Sequence, residues 1–279
     1  MSLKYKVAAA LLLALSAIMT GAPAATAAPK PELWEKWTVH DPASTTVVDH
    51  QLWDRFLKSY VKVDPGGLNR FDYAAVDTGD RKVLQDYLGA LGQTPVSSLN
   101  RGEQQAFWIN LYNALTVQVV LDHYPVKSIR DIDISPGLFS DGPWGKKLIT
   151  IEGEPVSLDD VEHRILRPIW KDPRLHYAVN CASVGCPDLV AEAYTARTMD
   201  SQLTANAHAY INSRRGVRID GESMIVSSIY DWFQVDFGGS EKGVIAHLRH
   251  YARGDLKQAL ARAQEIEGYQ YDWSLNGAE

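Results

Sequence analysis

Cysteine is scarce: two in 279 residues cannot staple a fold, and a chain of this length buries a core without them. Basic residues are also short, with 28 Lys and Arg against 34 Asp and Glu. That balance leaves no electrostatic footprint for nucleic acid or an acidic membrane surface. No apolar run reaches the roughly 20 residues of a membrane-spanning helix; the longest, Val7 to Met19, holds 13. Internal repeats, low-complexity blocks and a Cys-x-x-Cys redox pair are missing too. The acids between Asp131 and Asp141 lack the loop pattern and terminal glutamate of a calcium hand. His163, His176, Cys181 and Cys186 lack the short regular spacings of a structural zinc site. Neither a metal nor a cofactor is implied.

What is present begins with an export signal. Lys4 and Lys6 precede the apolar run, and Ala25-Thr26-Ala27 offers the small residues a signal peptidase reads. Residues 1–27 are therefore expected to be removed, giving a periplasmic or secreted protein with no stable membrane insertion. No cysteine stands at the cleavage point to take a lipid. Losing those two lysines leaves 26 basic and 34 acidic residues, a net charge near −8.

Residues 28–46, rich in Ala, Pro, Thr and Ser but carrying Trp34 and Trp37, read as an extended arm lying on the body; residues 47–279 read as one domain. Helices are expected over 47–60, 81–91 and 101–123. Pro65-Gly66-Gly67 marks a turn after the first, and Pro125 ends the third. Asn100 and Glu103 look like the two halves of a capping box on the third. That helix is apolar nearly all round, which predicts burial on most sides. Asn110 and Asn113 interrupt its apolar surface, and a buried amide without partners costs about 1–3 kcal/mol. Both must brace a neighbouring loop or serve a site. Glu103, Asn110 and Gln118 share one side, so the helix could face a polar cleft.

Residues 128–144 read as an irregular loop pinned by Phe139 and Trp144 and able to form one wall of a groove. A hairpin over 146–156 follows, then a helix capped by Ser157 and Asp160 and stopped by Pro168. Residues 175–179 read as a short strand. Beyond it come a helix over 199–211, a hairpin at 217–226, helices at 243–251 and 255–264 with Asp255 as cap of the second, and an alternating aromatic strand over 269–276. Together these predict an α/β fold of the α+β type: a single domain whose antiparallel or mixed sheet packs with helices around a central buried helix.

The chemistry concentrates in His176-Tyr177-Ala178-Val179-Asn180-Cys181-Ala182-Ser183-Val184-Gly185-Cys186-Pro187. A catalytic thiol needs a depressed pKa, a base within hydrogen-bond reach and donors for an oxyanion. Cys181 followed by small residues suits that role, with backbone N–H groups around it as oxyanion donors. On a strand, the odd spacing from His176 would put ring and thiol on opposite faces, which makes His163 an equal candidate base. Glu162, adjacent to His163 on a helix, is not expected to orient its ring, leaving Asp231, Asp272 or Asn110. A Cys181–Cys186 disulfide is an equally open reading in an oxidising compartment, as are unreactive thiols.

Five segments resemble the domain of unknown function 547 (DUF547) family of bacterial and plant proteins: Ala106 to Ala114 (AFWINLYNA), Val161 to Arg167 (VEHRILR), Asp172 to Ser183 (DPRLHYAVNCAS), Ser228 to Phe233 (SIYDWF) and Tyr271 to Asn276 (YDWSLN). The resemblance implies a fold remotely similar to papain-like and transglutaminase-like proteins. It also implies that a cysteine matching Cys181 is kept while one matching Cys186 can be lost, which favours Cys181 as a functional thiol over an obligatory disulfide. Two functions stay open. One is a thiol-dependent hydrolase or acyltransferase-like protein acting on an amide, peptide or thioester, with Cys181 attacking and His163 or His176 as base. The other is a non-enzymatic periplasmic binding or protein-interaction module in which Asn110, Asn113, Asp231 and Trp232 shape a groove and Cys181–Cys186 is structural. Substrate and partner are not named by the sequence.

Overall fold

The computed structural model describes residues 29–64, 67–137, 141–221 and 223–278. The expected signal segment, the start of the Pro65-Gly66-Gly67 turn and Phe139 lie outside the described residues.

The chain folds as a mixed α/β domain. In order, it forms α1 (Gln51–Tyr60), β1 (Val61–Lys62), β2 (Arg70–Phe71), α2 (Thr78–Gly92), α3 (Arg101–His123), β3 (Ile149–Ile151) and β4 (Glu154–Val156). A π-helix (Asp160–Leu166) then runs into α4 (Arg167–Trp170), followed by α5 (Met199–Ile211), β5 (Val217–Asp220), β6 (Ser223–Ser227), α6 (Ile229–Trp232), α7 (Glu241–Tyr251), α8 (Gly254–Arg262) and β7 (Gly268–Gln270). Strands β1 and β2 pair antiparallel, as do β3 and β4; β6 pairs antiparallel with β5 and parallel with β7.

Helix α3 is the central element, buried at nearly every position from Glu103 to Leu121. Asn100 caps it by accepting the Glu103 N–H. The reciprocal half of the expected capping box is not made: the Glu103 carboxylate accepts the N–H of Val48 instead, at 3.1 Å, and so ties down the start of α1. The main core packs around α3 against α1 and α2. A second hydrophobic cluster joins α5, β5, β6, α7 and α8. Tyr177 belongs to the second cluster and Ala178 to the first, so the cysteine-bearing segment leaves from the seam between them.

The segment 158–170 departs most from expectation. Pro168 does not stop the helix, which continues to Trp170. The wider π turn frees carbonyls, and the arm takes them: Glu32 N–H donates to His163 O and Trp34 N–H to Arg164 O, both at 3.0 Å. Arg164 O lies four residues before Pro168, so the arm fills the bond that proline cannot make. Trp37, from the same arm, packs edge-on against Trp108 of α3 at 4.9 Å.

Residues 175–179 are not a strand. Pro173–Tyr177 is a 3-10 helix started by the Asp172 carboxylate, which accepts the Arg174 N–H. Strand alternation therefore does not put His176 and Cys181 on opposite faces. Asp255 does not cap α8, which starts at Gly254 behind Arg253. Regular strand in the aromatic tail is confined to Gly268–Gln270; beyond it the tail pairs with the cysteine loop.

Candidate functional site

Polar side chains and the tail clamp the cysteine loop from both sides. On the α3 side, Asn113 donates to Ala178 O at 2.9 Å and accepts from Asn180 N at 2.8 Å. Asn180 in turn accepts the Ala182 N–H and donates to Pro187 O. On the other side the tail runs past the loop: Val184 N–H donates to Ser274 O, Gly185 N–H to Asp272 O and Asn276 N–H to Ala182 O. The approach is so close that a Cβ on Gly185 would lie 2.7 Å from the Asp272 nitrogen. Only glycine fits. Ala182 takes a left-handed φ of 58°, a conformation that costs a non-glycine residue energy and that clusters at functional turns.

This clamp presents the Cys181 sulfur, half-buried, to two hydroxyls: Tyr271 Oη at 3.1 Å and Ser183 Oγ at 3.3 Å. Ser183 also donates to Tyr271 at 3.0 Å, which leaves the Tyr271 proton for the sulfur. Burial and the neighbouring Cys181 push the Tyr271 hydroxyl well up, so it stays a donor. The hydrogen-bonded Cys186 thiol pulls Cys181 below the ordinary thiol range; burial opposes it, and the Ser183 and Tyr271 hydroxyls add to the fall. Cys186 is buried and pushed up by its desolvation. The two sulfurs are separate thiols, with the Cys181 N–H donating to Cys186 Sγ at 3.0 Å.

The histidines form a second group, and the two rings differ. His176 Nε2 donates to Asp236 Oδ2 at 2.7 Å, while its ring stacks on Phe233 at 4.2 Å. Its Nδ1 faces Glu162 Oε1 at 3.8 Å and keeps its lone pair. His163 Nδ1 instead accepts from Arg167 Nη1 at 3.0 Å, so that lone pair is occupied. Burial holds His163 down to about 4 and Glu162 partly opposes this. Burial raises Asp236, but hydrogen bonds from His176 and Arg167 outweigh it and leave the carboxyl below its ordinary range.

Glu162 links the two groups. Its charge bears on Cys181 and on His163, and the π turn sets its carboxylate between the imidazoles, 4.0 Å from His163 Nδ1. The residue is adjacent to His163, a position that on an ordinary α-helix points away from the ring, but it lies here in a π turn. No hydrogen bond joins either imidazole to the Cys181 sulfur among the described residues.

The remaining candidates lie elsewhere or act on backbone. Asn110 exchanges two bonds with the backbone of Tyr194. Glu103 holds Val48. Asp231 is exposed, and Asp272 accepts the Ser274 N–H within the tail, so neither orients a histidine. Trp232 stacks on Trp273 at 5.6 Å and meets Tyr271 at 4.8 Å, giving an aromatic wall that begins at the thiol. The backbone donors expected for an oxyanion are largely spent: the N–H groups of Cys181, Ala182, Val184 and Gly185 all bond within the loop and tail. The orienting acid missed in the sequence is Asp236, which stands 60 residues from His176 just ahead of Gly238 and Gly239, both at positive φ.

These features define a mixed α/β protein with a hydroxyl-flanked free thiol at the seam of its core. The family model described as Protein of unknown function, DUF547, matches residues 96–211, a stretch running from just before α3 to the end of α5. No curated protein and no solved structure matches the chain.

Proposed function

We propose that the protein is an exported thiol-dependent hydrolase or acyltransferase acting on an amide, peptide or thioester carbonyl. The observation that carries this reading is the Cys181 sulfur facing the Tyr271 and Ser183 hydroxyls at 3.1 and 3.3 Å on a turn strained at Ala182. Donors aimed at a sulfur favour its thiolate, which is the nucleophile. In the proposed reaction the thiolate attacks the carbonyl carbon and the leaving nitrogen or sulfur departs with a proton. Water or an acceptor then takes the acyl group and regenerates the thiol. His176 is the better proton carrier, because Asp236 fixes its tautomer and leaves Nδ1 free. With most of the loop N–H groups engaged, the Tyr271 hydroxyl is the donor offered to the oxyanion, released as the sulfur gives up its charge to the new C–S bond.

The test is intact-mass detection of an acyl adduct after incubation with a panel of small acyl thioesters. An adduct mapping to Cys181 and lost in Cys181→Ser supports the reading; a chain that alkylates at Cys181 yet never acylates contradicts it. The aromatic wall of Trp232, Tyr271 and Trp273 favours a second reading, a binding module with no turnover. Saturable ligand binding that survives Cys181→Ser and weakens in Trp232→Ala would support that one.

A further inference from the structure

The two thiols are unequal in ways that matter to an oxidant. Cys181 is half-exposed, while Cys186 is 4% exposed. The Cys186 N–H donates to Ser183 O at 3.1 Å, closing a turn that folds its side chain back on Cys181. Its sulfur then lies 3.0 Å from the Cys181 nitrogen, accepting that N–H. A partly exposed thiol of lowered pKa with a sheltered second thiol behind it is the arrangement of an attacking and a resolving cysteine.

We infer that Cys181 and Cys186 form a hydroperoxide-reactive pair that closes reversibly to a disulfide and switches the Cys181 site off. The inference rests on Cys181 being the nucleophile of the proposed function. In the first step the Cys181 thiolate attacks the outer oxygen of a hydroperoxide. The O–O bond breaks, the alkoxide or hydroxide leaves and takes a proton, and Cys181 becomes a sulfenic acid. In the second, the Cys186 sulfur attacks the Cys181 sulfur, the S–O bond breaks and water departs. One hydroperoxide is reduced and two thiols are oxidised to one disulfide, so atoms and electrons balance. An external dithiol reverses the change by attacking the accessible Cys181 sulfur, with Cys186 as the leaving thiolate. Cys186 thereby stops Cys181 short of sulfinic acid, which ordinary thiols cannot reverse.

The experiment uses the full chain. Untreated protein is first alkylated with iodoacetamide, to establish that Cys181 reacts. A second sample receives limiting hydrogen peroxide and is examined by intact mass and peptide mapping. The expected result is loss of two hydrogens, a linked Cys181–Cys186 peptide, at least a tenfold fall in alkylation, and full recovery with dithiothreitol. Cys186→Ser and Cys186→Ala, each confirmed folded by circular dichroism, should instead trap a sulfenic acid captured by dimedone and progress to sulfinic acid. Wild-type chain that alkylates at Cys181 but gains oxygen without forming the linked peptide overturns this inference and leaves the thiol function standing. Failure of Cys181 to alkylate at all overturns both.

Discussion

Asn113 holds Asn180 across the core: from the middle of the central helix its side-chain oxygen accepts the Asn180 N–H at 2.8 Å, one residue before Cys181. Its amide nitrogen simultaneously donates to Ala178 O at 2.9 Å, so one buried side chain satisfies two backbone groups that no strand partners. Asn113→Ala leaves both unpaired in the interior and is expected to cost on the order of 1–3 kcal/mol of stability, measured by urea unfolding. Because the loop loses its fixed position, Cys181 alkylation should also change in rate. A substitution neutral in both would mean that the loop is held by the tail alone.

Tyr271 adds to the lowering of the Cys181 thiol that Cys186 chiefly causes. Removing its hydroxyl in Tyr271→Phe takes away a donor at 3.1 Å while keeping the ring that packs on Trp232 and Trp273. A hydrogen bond to a charged group contributes about 1.5–3 kcal/mol, which at about 1.4 kcal/mol per pH unit moves the thiol upward by roughly one unit or more. The check is the midpoint of alkylation rate against pH, which should rise in the variant.

Arg167 is the buried cation of the histidine group. Its side chain is 3% exposed and its Nε donates to Asp236 Oδ2 at 2.6 Å. Arg167→Met leaves the Asp236 carboxylate with His176 as its remaining partner, so the cost should lie below the roughly 3–5 kcal/mol of a buried charge left wholly unpaired. Arg167→Lys should rescue little, since an ammonium cannot reach Asp236, His163 and Pro29 O as the planar fork does. In either variant that folds, the His163 imidazole should titrate higher by NMR, because the nearby positive charge is reduced or displaced.

Acid should destabilise the protein over a defined range. His50, His163 and His247 are each held down to about 4, chiefly by burial. Unfolding returns them to about 6.5. Above that pH they are neutral in both states; between about 6.5 and 4 the unfolded chain binds more protons, so stability falls as pH drops through this window. Each histidine is worth on the order of 3 kcal/mol at the bottom of it. Asp159, pushed up to about 6 mainly by burial, works in the opposite sense and offsets part of the loss. Urea unfolding across this range should show the decline, and His50→Gln, far from the thiol in the chain, should reduce it. A stability profile that is flat or rises on acidification would refute this.

Much of the fold was legible because its signals are local. Helix α3 runs over the expected 101–123 and α5 over 199–211, since Asn100, Pro125 and an apolar surface act within a few residues of each boundary. The burial of Asn110 and Asn113 could be read from the apolar residues around them. What escaped depended on distant chain. The arm supplies donors to His163 O and Arg164 O, which lets the helix continue past Pro168 into α4, and the preceding π turn places Glu162 between two imidazoles. Tyr271 and Asp236 reach Cys181 and His176 across 90 and 60 residues, separations over which spacing carries no information. The 3-10 segment at 173–177 resembles a strand in composition, yet Asp172 and Pro173 bias it to a helical turn.

The central claim, that Cys181 is the activated thiol, is tested most directly by its alkylation rate with iodoacetamide as a function of pH in the folded full chain, resolved by peptide mapping. The expected result is labelling of Cys181 alone, with a midpoint below the roughly 8.5 of a free cysteine and Cys186 untouched until denaturant is added. A Cys181 midpoint at or above that value, or two thiols that label together only on unfolding, would contradict it.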